Sequence, residues 1–208
     1  MIRVLLADDH ELVRSGIEQL LNTDQEIDVV GVASTGEEAL NKVEDLKPDI
    51  AVIDVNMPGM GGLETCHKLQ RKHPEIRLIA ISVYNDGPFP RQLLDAGVAG
   101  YISKNCPTGE MIHAIKAVYS GERYLSGDVA RNIALGSAKN GKSLFDSLSS
   151  REMEVTMLTL QGKSIQEIAE ILALSPKTVC TYRYRIFEKL GIKNDVELTR
   201  LASKYGLT

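Results

Sequence analysis

Three carboxylates, a hydroxyl and an ammonium stand at or just beyond the downstream ends of short apolar runs. Asp8 and Asp9 follow residues 4–7 (VLLA), Asp54 follows residues 50–53 (IAVI), Ser82 follows residues 78–81 (LIAI), and Lys104 lies two residues past 99–102 (AGYI). If these ends share one mouth, the three carboxylates repel one another and raise each other's pKa values unless a cation joins them. An all-oxygen acidic site of this kind suits Mg²⁺. A carboxylate held there can act as a nucleophile toward a phosphoryl group, while the ammonium and hydroxyl meet the oxygens of the transferred group. Asp54, ending the central run and followed by the loop Asn56-Met57-Pro58-Gly59, is the best placed of the three for that role.

The five apolar runs, the second being 27–33 (IDVVGVA), read as buried strands of a parallel sheet. Between them come segments with helical periodicity: Val13, Ile17, Leu20 and Leu21; Ala39, Leu40, Val43 and Leu46; Met111, Ile112, Ile115, Val118 and Tyr119. The alternation predicts an α/β domain, a doubly wound five-stranded parallel sheet over residues 1–121, whose ligands bind beyond the carboxyl ends of the strands. That rule places the charged residues where a site belongs. For Asp8 and Asp9 the competing role is a helix N-cap, for Lys104 a solvated loop cation, and for Ser82 a local strand-end hydrogen bond.

The motifs ADDH, DVNMPGMGG, the Ser after a strand and YISK together resemble a receiver domain. The resemblance implies a flavodoxin-like fold and phosphorylation of Asp54 by a sensor histidine kinase. It further implies Asp9 and Asp54 as side-chain Mg²⁺ ligands, assistance from Asp8, and a backbone carbonyl ligand at Asn56. Ser82 and Tyr101 match the switch pair in which the hydroxyl turns toward the phosphoryl group and the ring moves inward, and Lys104, ending YISK, is the phosphoryl-binding lysine that the resemblance implies. The segment after Ser82, VYNDGPFPRQ, carries Pro88 and Pro90, so the fourth helix is expected to start late or be short.

The strand rhythm stops near Gly121, and residues 136–142 (GSAKNGK) have linker composition. Residues 122–147 are read as a connecting helix and linker. From Leu148 onward four helix starts carry caps: Ser149 with Glu152, Ser164 with Glu167, Ser175 with Pro176, and Asn194 or Asp195 before Val196. Residues 148–208 are therefore a small all-α domain. Within it Ile165, Ile168, Ala169 and Leu172 form one apolar stripe, residues 173–175 a turn, and Val179, Tyr182 or Arg183, Ile186 and Leu190 a second stripe. That is a helix-turn-helix, whose second helix fits the DNA major groove. Lys177, Arg185 and Lys189 are the phosphate candidates; Cys180, Thr181 and Tyr184 face outward in the early turns where base edges are reached, with Thr178 beside them. A basic helix face is more often merely solvated, but here it coincides with capped helix-turn-helix geometry. Cys180 cannot make a bidentate base contact, leaving it shape or an apolar contact to a thymine methyl. The stretch from LSSREMEV to the C-terminus resembles a LuxR-type output domain. With a receiver it makes the NarL/FixJ class of response regulators, and SPKTVCTYRYRIFEKL looks most like the GacA/UvrY/SirA group, where position 180 is commonly Asn. The resemblance implies a homodimer when active, contacting through the last helix at Val196, Leu198 and Leu201.

Charge follows the same division. The chain carries −4 overall, but residues 1–123 hold 12 Lys and Arg against 19 Asp and Glu, and residues 124–208 hold 12 against 9. Two halves of opposite sign point to two kinds of partner, duplex DNA being that of the basic half. Three separated cysteines outside any CxxC pair suggest neither a disulfide framework nor zinc. No apolar segment is long enough for a signal core or a membrane span, so a cytoplasmic protein is expected. A phosphohydrolase would also use a nucleophilic Asp with Mg²⁺, but Asn56 replaces the second Asp of a DxD motif and no cap insertion is present, so no enzyme is expected. No GxGxxG or Walker-A run supports a nucleotide- or flavin-binding module. A receiver that works without phosphate is opposed by the intact acidic set.

Overall fold

The computed structural model describes residues 1–83, 89–139 and 144–205. Six parallel strands form one sheet: β1 (Ile2–Ala7), β2 (Ile27–Ala33), β3 (Ile50–Asp54), β4 (Arg77–Ser82), β5 (Gly100–Ser103) and β6 (Tyr124–Leu125), in the order β2-β1-β3-β4-β5-β6. The first five coincide with the apolar runs. The sixth corrects the five-strand expectation: it is two residues long, too short to show a hydrophobic period, and extends the sheet by pairing Gly100 with Tyr124 and Tyr101 with Leu125. Residues 122–147 thus contribute a strand as well as a helix.

Alternate residues of the inner strands feed two cores, as the pleat requires. Leu5, Ala7, Ala51 and Ile53 pack on one face with α2 (Gly36–Leu46) and α3 (Gly62–Lys72). Val4, Leu6, Ile50 and Val52 pack on the other with α1 (Glu11–Leu21) and α5 (Thr108–Tyr119). Two residues of the expected stripes do not bury: Val13 is exposed, and Tyr119 lies at the surface with the Arg77 guanidinium 5.8 Å above its ring. α4 (Phe89–Asp95) has only seven residues, in keeping with a short fourth helix; residues 84–88, which include Pro88, lie outside the described residues.

α6 (Gly127–Lys139) runs into the stretch read as linker, so residues 136–139 of GSAKNGK are helical and 140–142 lie outside the described residues. One glycine costs a helix only about 1 kcal/mol, which neighbouring Ala and Lys can tolerate. A short 3₁₀ turn (Leu144–Ser147) then leads to four helices, α7 (Ser150–Leu160), α8 (Ile165–Ile171), α9 (Pro176–Leu190) and α10 (Asp195–Lys204). Their starts carry the anticipated caps. Ser149 and Ser164 form capping boxes with Glu152 and Glu167, Ser175 accepts from the Thr178 amide, and at the last helix Asn194 rather than Asp195 is the cap.

Two glycines define opposite extremes. A Cβ at Gly62 would lie 2.0 Å from the Asp54 carbonyl oxygen, because α3 begins pressed against the end of β3; at Gly16, exposed in the middle of α1, it would meet nothing within 4 Å. Gly62→Ala is therefore expected to lose about 1–3 kcal/mol of stability through overpacking, whereas Gly16→Ala should gain about 0.5–1 kcal/mol from reduced backbone entropy. Urea denaturation of the two variants checks the opposite signs.

Candidate functional site

The strand order sets β1, β3, β4 and β5 side by side, so their carboxyl ends share one mouth. Asp8, Asp54 and Ser82 are fully buried there. Lys104 reaches in from beyond β5 and its Nζ stands 2.7 Å from Asp54 Oδ2 and 2.8 Å from Asp8 Oδ2. The loop that carries Lys104 is anchored by its amide, which donates to the Ser82 carbonyl at 2.8 Å. Burial raises the Asp54 carboxyl above its ordinary range; Lys104 opposes this and Asp8 adds to it. Burial also penalises the Lys104 ammonium, but Asp54 and Asp8 outweigh it and hold that group above the usual lysine value.

Asp8 does not cap α1. Its Oδ1 accepts from the His10 amide at 2.9 Å, and His10, the residue at the N-cap position, makes no side-chain cap bond. His10 is a member of the site that sequence reasoning did not single out, although ADDH places it next to the pair: its Nδ1 lies 2.9 Å from Asp9 Oδ1. Asp8, Asp9, His10 and Asp54 each offer a ligand atom within 4.8 Å of all the others. Asp8 Oδ2 and Asp9 Oδ1 are buried oxygens that accept no hydrogen bond beyond those ion pairs. A hard divalent cation such as Mg²⁺ fits this oxygen-rich set. Asn56 is exposed and its amide donates to Asp54 Oδ1 at 3.1 Å, which orients the carboxylate. Tyr101 is fully buried with its ring in the core.

In the C-terminal domain, Val179, Ile186 and Leu190 turn α9 inward on α7 and α8, and both Tyr182 and Arg183 are half-buried. Ala173 takes a left-handed φ of 51° in the turn between α8 and α9. Lys177, Cys180, Thr181, Tyr184 and Arg185 lie on the exposed face, Tyr184 being 71% accessible. Thr178 is half-buried, its hydroxyl 2.8 Å from that of Ser175 in the cap. Lys189 is exposed, and its Nζ is 2.6 Å from Glu152 Oε2 on α7, a pair that ties α9 to the scaffold. Sequence periodicity could not show a partner 37 residues away. Among the three dimer candidates, Leu198 faces into its own domain and is buried, Leu201 packs partly against the same core, and Val196 is 78% exposed.

The comparisons agree with this geometry. The response regulator receiver domain family matches residues 4–116, and the LuxR family of bacterial regulatory proteins matches residues 146–202. The chain belongs to the response regulators with a LuxR-type output domain. This response regulator is 49% identical over 209 residues to response regulator GacA of Pseudomonas viridiflava, covering all of this chain and 98% of the relative. It is 46% identical to response regulator UvrY of Escherichia coli K12, covering all of this chain and 96% of UvrY. Among solved structures it resembles RcsB of Salmonella typhimurium, with TM-score 0.73, 26% identity and 98% of each chain covered. It also resembles RcsB bound to the promoter rprA in the presence of a phosphomimetic, with TM-score 0.69, 26% identity, and 97% of this chain and 98% of that one covered. No described helix is long and apolar enough to cross a membrane.

Lys104 and a divalent cation would draw on the same carboxylates. Lys104→Met is expected to tighten Mg²⁺ binding by roughly tenfold or more, because a positive charge beside the ligands is removed. Calorimetric titration of Mg²⁺ into both proteins measures it, and weaker binding in the variant would show that the lysine organises the carboxylates rather than competing for them.

Proposed function

We propose that this response regulator is phosphorylated on Asp54 by a sensor histidine kinase and, as a homodimer in the cytoplasm, binds duplex DNA to regulate transcription. Residues 1–121 act as the phosphoacceptor domain, 122–147 as the connection and 148–208 as the DNA-binding domain. The observation that carries the reading is Asp54: a fully buried carboxylate at the end of the central strand, with Lys104 2.7 Å from Oδ2 and Asp8 and Asp9 alongside.

An Asp54 oxygen attacks the phosphorus of the phosphohistidine in line; the P–O bond to Asp54 forms as the P–N bond breaks, and the imidazole departs with the electron pair. Lys104, already turned to Asp54, pairs with a phosphoryl oxygen, and the Ser82 hydroxyl donates to another. Asp8, Asp9, Asp54 and the Asn56 carbonyl would hold Mg²⁺, which neutralises charge on the transferring group when bound. Ser82 and Tyr101 form the switch that biases the population toward the active arrangement. The protein accepts a phosphoryl group and relays it as a conformational change; it turns over no substrate of its own.

On the output side Lys177 and Arg185 meet phosphates, and Cys180, Thr181 and Tyr184 face the base edges. The exposed basic face of α9 and the DNA-bound RcsB relative support this arrangement. Val196 supplies an exposed apolar contact for a second copy, and Leu198 supports it from within.

Incubation with a small radiolabelled acyl phosphate and Mg²⁺ should label the wild-type protein, and Asp54→Asn should abolish the label; retention of label would move the acceptor elsewhere. Lys177→Ala combined with Arg185→Ala should weaken binding to all DNA sequences and reduce the slope of log affinity against log salt by about 2. Unchanged salt dependence would mean that another surface meets the duplex.

A further inference from the structure

The residues that follow Asp54 do more than close its site. The β3–α3 loop is pinned at both ends by backbone hydrogen bonds, from Val55 to the Ile81 carbonyl and from Gly62 to the Val55 carbonyl. Between these pins Gly59 and Gly61 take φ of 74° and 77°, a region open to glycine at little cost. The Gly59 carbonyl accepts a hydrogen bond from Arg151, in the first turn of α7 and 92 residues away, at 2.5 Å. The same guanidinium nitrogen donates to the Leu172 carbonyl at the end of α8, and the other to Glu154 Oε2, each at 2.5 Å. Glu154 rests on the receiver in turn: a Cβ on Gly61 would lie 2.1 Å from its Oε1. Asn56 and Met57 of the loop line one small cavity with Glu154, Met157 and Leu172.

The Arg151 and Glu154 side chains are only 13% and 9% exposed, so this is a desolvated pair at the seam between domains. Burial pushes the Glu154 carboxyl up to about 7, with Arg151 opposing and Glu64 of α3 adding to the rise. Removing one member of such a pair leaves a buried charge uncompensated. The receiver does not close over the recognition face, whose Lys177, Cys180, Thr181, Tyr184 and Arg185 remain exposed. What the seam can control is therefore the placement of the output domain relative to the receiver.

We propose that Arg151 is a positioning residue that latches the output domain onto the loop following the phosphoacceptor, so that rearrangement of this loop on phosphorylation opens the seam. This rests on the reading of Asp54 as the acceptor. Coupling between two sites is reciprocal: if phosphorylation favours the open seam, opening the seam favours the phosphorylated loop. The latch thus restrains phosphorylation as well as responding to it.

Arg151→Lys separates the roles. A lysine can still pair with Glu154 inside the output domain, but its compact ammonium cannot bridge Glu154, Leu172 and Gly59 in the planar fork that Arg supplies. Full-length wild-type, Arg151→Lys and Arg151→Ala proteins would be compared by amide hydrogen exchange without phosphodonor, and then by rate of labelling with a small acyl phosphate and Mg²⁺. Circular dichroism would confirm the fold, and the lysine variant carries the test if the alanine variant unfolds. The latch predicts faster exchange in residues 55–61 and labelling accelerated at least about fivefold. Wild-type exchange and labelling in a folded Arg151→Lys protein would overturn it. Absence of label in the wild-type protein would instead overturn the assignment of Asp54, and the exchange comparison would still decide whether Arg151 holds the seam.

Discussion

Everything at the receiver mouth depends on one cation held between two buried carboxylates. Asp8 and Asp54 are fully buried, and their like charges would drive protonation or separation without compensation. Lys104 bridges them at 2.8 and 2.7 Å. That bridge requires β1, β3 and β5 to end at a common level, and the sheet satisfies it through the registers Ala7 with Ile53, Asp54 with Ile81, and Ser82 with Ser103. The apolar strands are thus more than a core: their order and register bring the charges within reach of one ammonium. Gly62 belongs to the same constraint, because only a residue without a Cβ lets α3 start against the Asp54 carbonyl.

Much of this was legible because each part leaves a local mark. Continuous apolar runs mark buried parallel strands, a charged residue ending each run marks the mouth, and a Ser followed three positions later by Glu marks a helix start. Such marks located Asp8, Asp9, Asp54, Ser82 and Lys104, and the two capping boxes of the output domain. β6 escaped because two residues have no period, and the end of α6 because glycine, serine and lysine in a row look alike in a linker and a frayed helix. Side chains whose partners lie far along the chain were the harder class. Lys189 was grouped with the DNA-facing cations by its helical position, and nothing in that period marked its ion pair with Glu152 on α7; Leu198 was grouped with surface contacts by resemblance, yet Ala202 and Leu198, four apart, both face inward. Arg151 left no mark at all, since one acceptor it meets across the seam is a backbone carbonyl, which has no residue type.

The seam between the domains also explains how two cores come to be continuous. Met57 in the loop after Asp54 is almost fully buried, and the α3-side core of the sheet runs without a break into Phe145, Leu148, Met153 and the helix-turn-helix. α4 also meets the output domain, where Gln92 donates to the Leu148 carbonyl at 3.4 Å. The output domain is therefore held at two places that a receiver can move, the loop after Asp54 and the short fourth helix. Packed contacts of this kind switch between discrete arrangements more readily than they deform.

Exposure of the recognition face constrains what such switching can accomplish. A receiver that masked α9 would regulate by access, and its release would raise affinity for a single half-site. Here Lys177, Arg185 and Tyr184 face solvent while the seam is closed, so under the proposed reading of α9 one half-site could be met in either state. Binding to a two-fold operator demands more: both recognition helices must lie about one helical turn, roughly 34 Å, apart. A domain locked to its receiver can satisfy that spacing only if the receiver dimer happens to impose it, whereas a domain freed from the proposed latch could pair through its last helix, where Val196 is exposed. Under the proposed latch, control by geometry would act on cooperativity between half-sites, with the strength of the response set by how firmly the seam holds the unphosphorylated protein out of register with its operator.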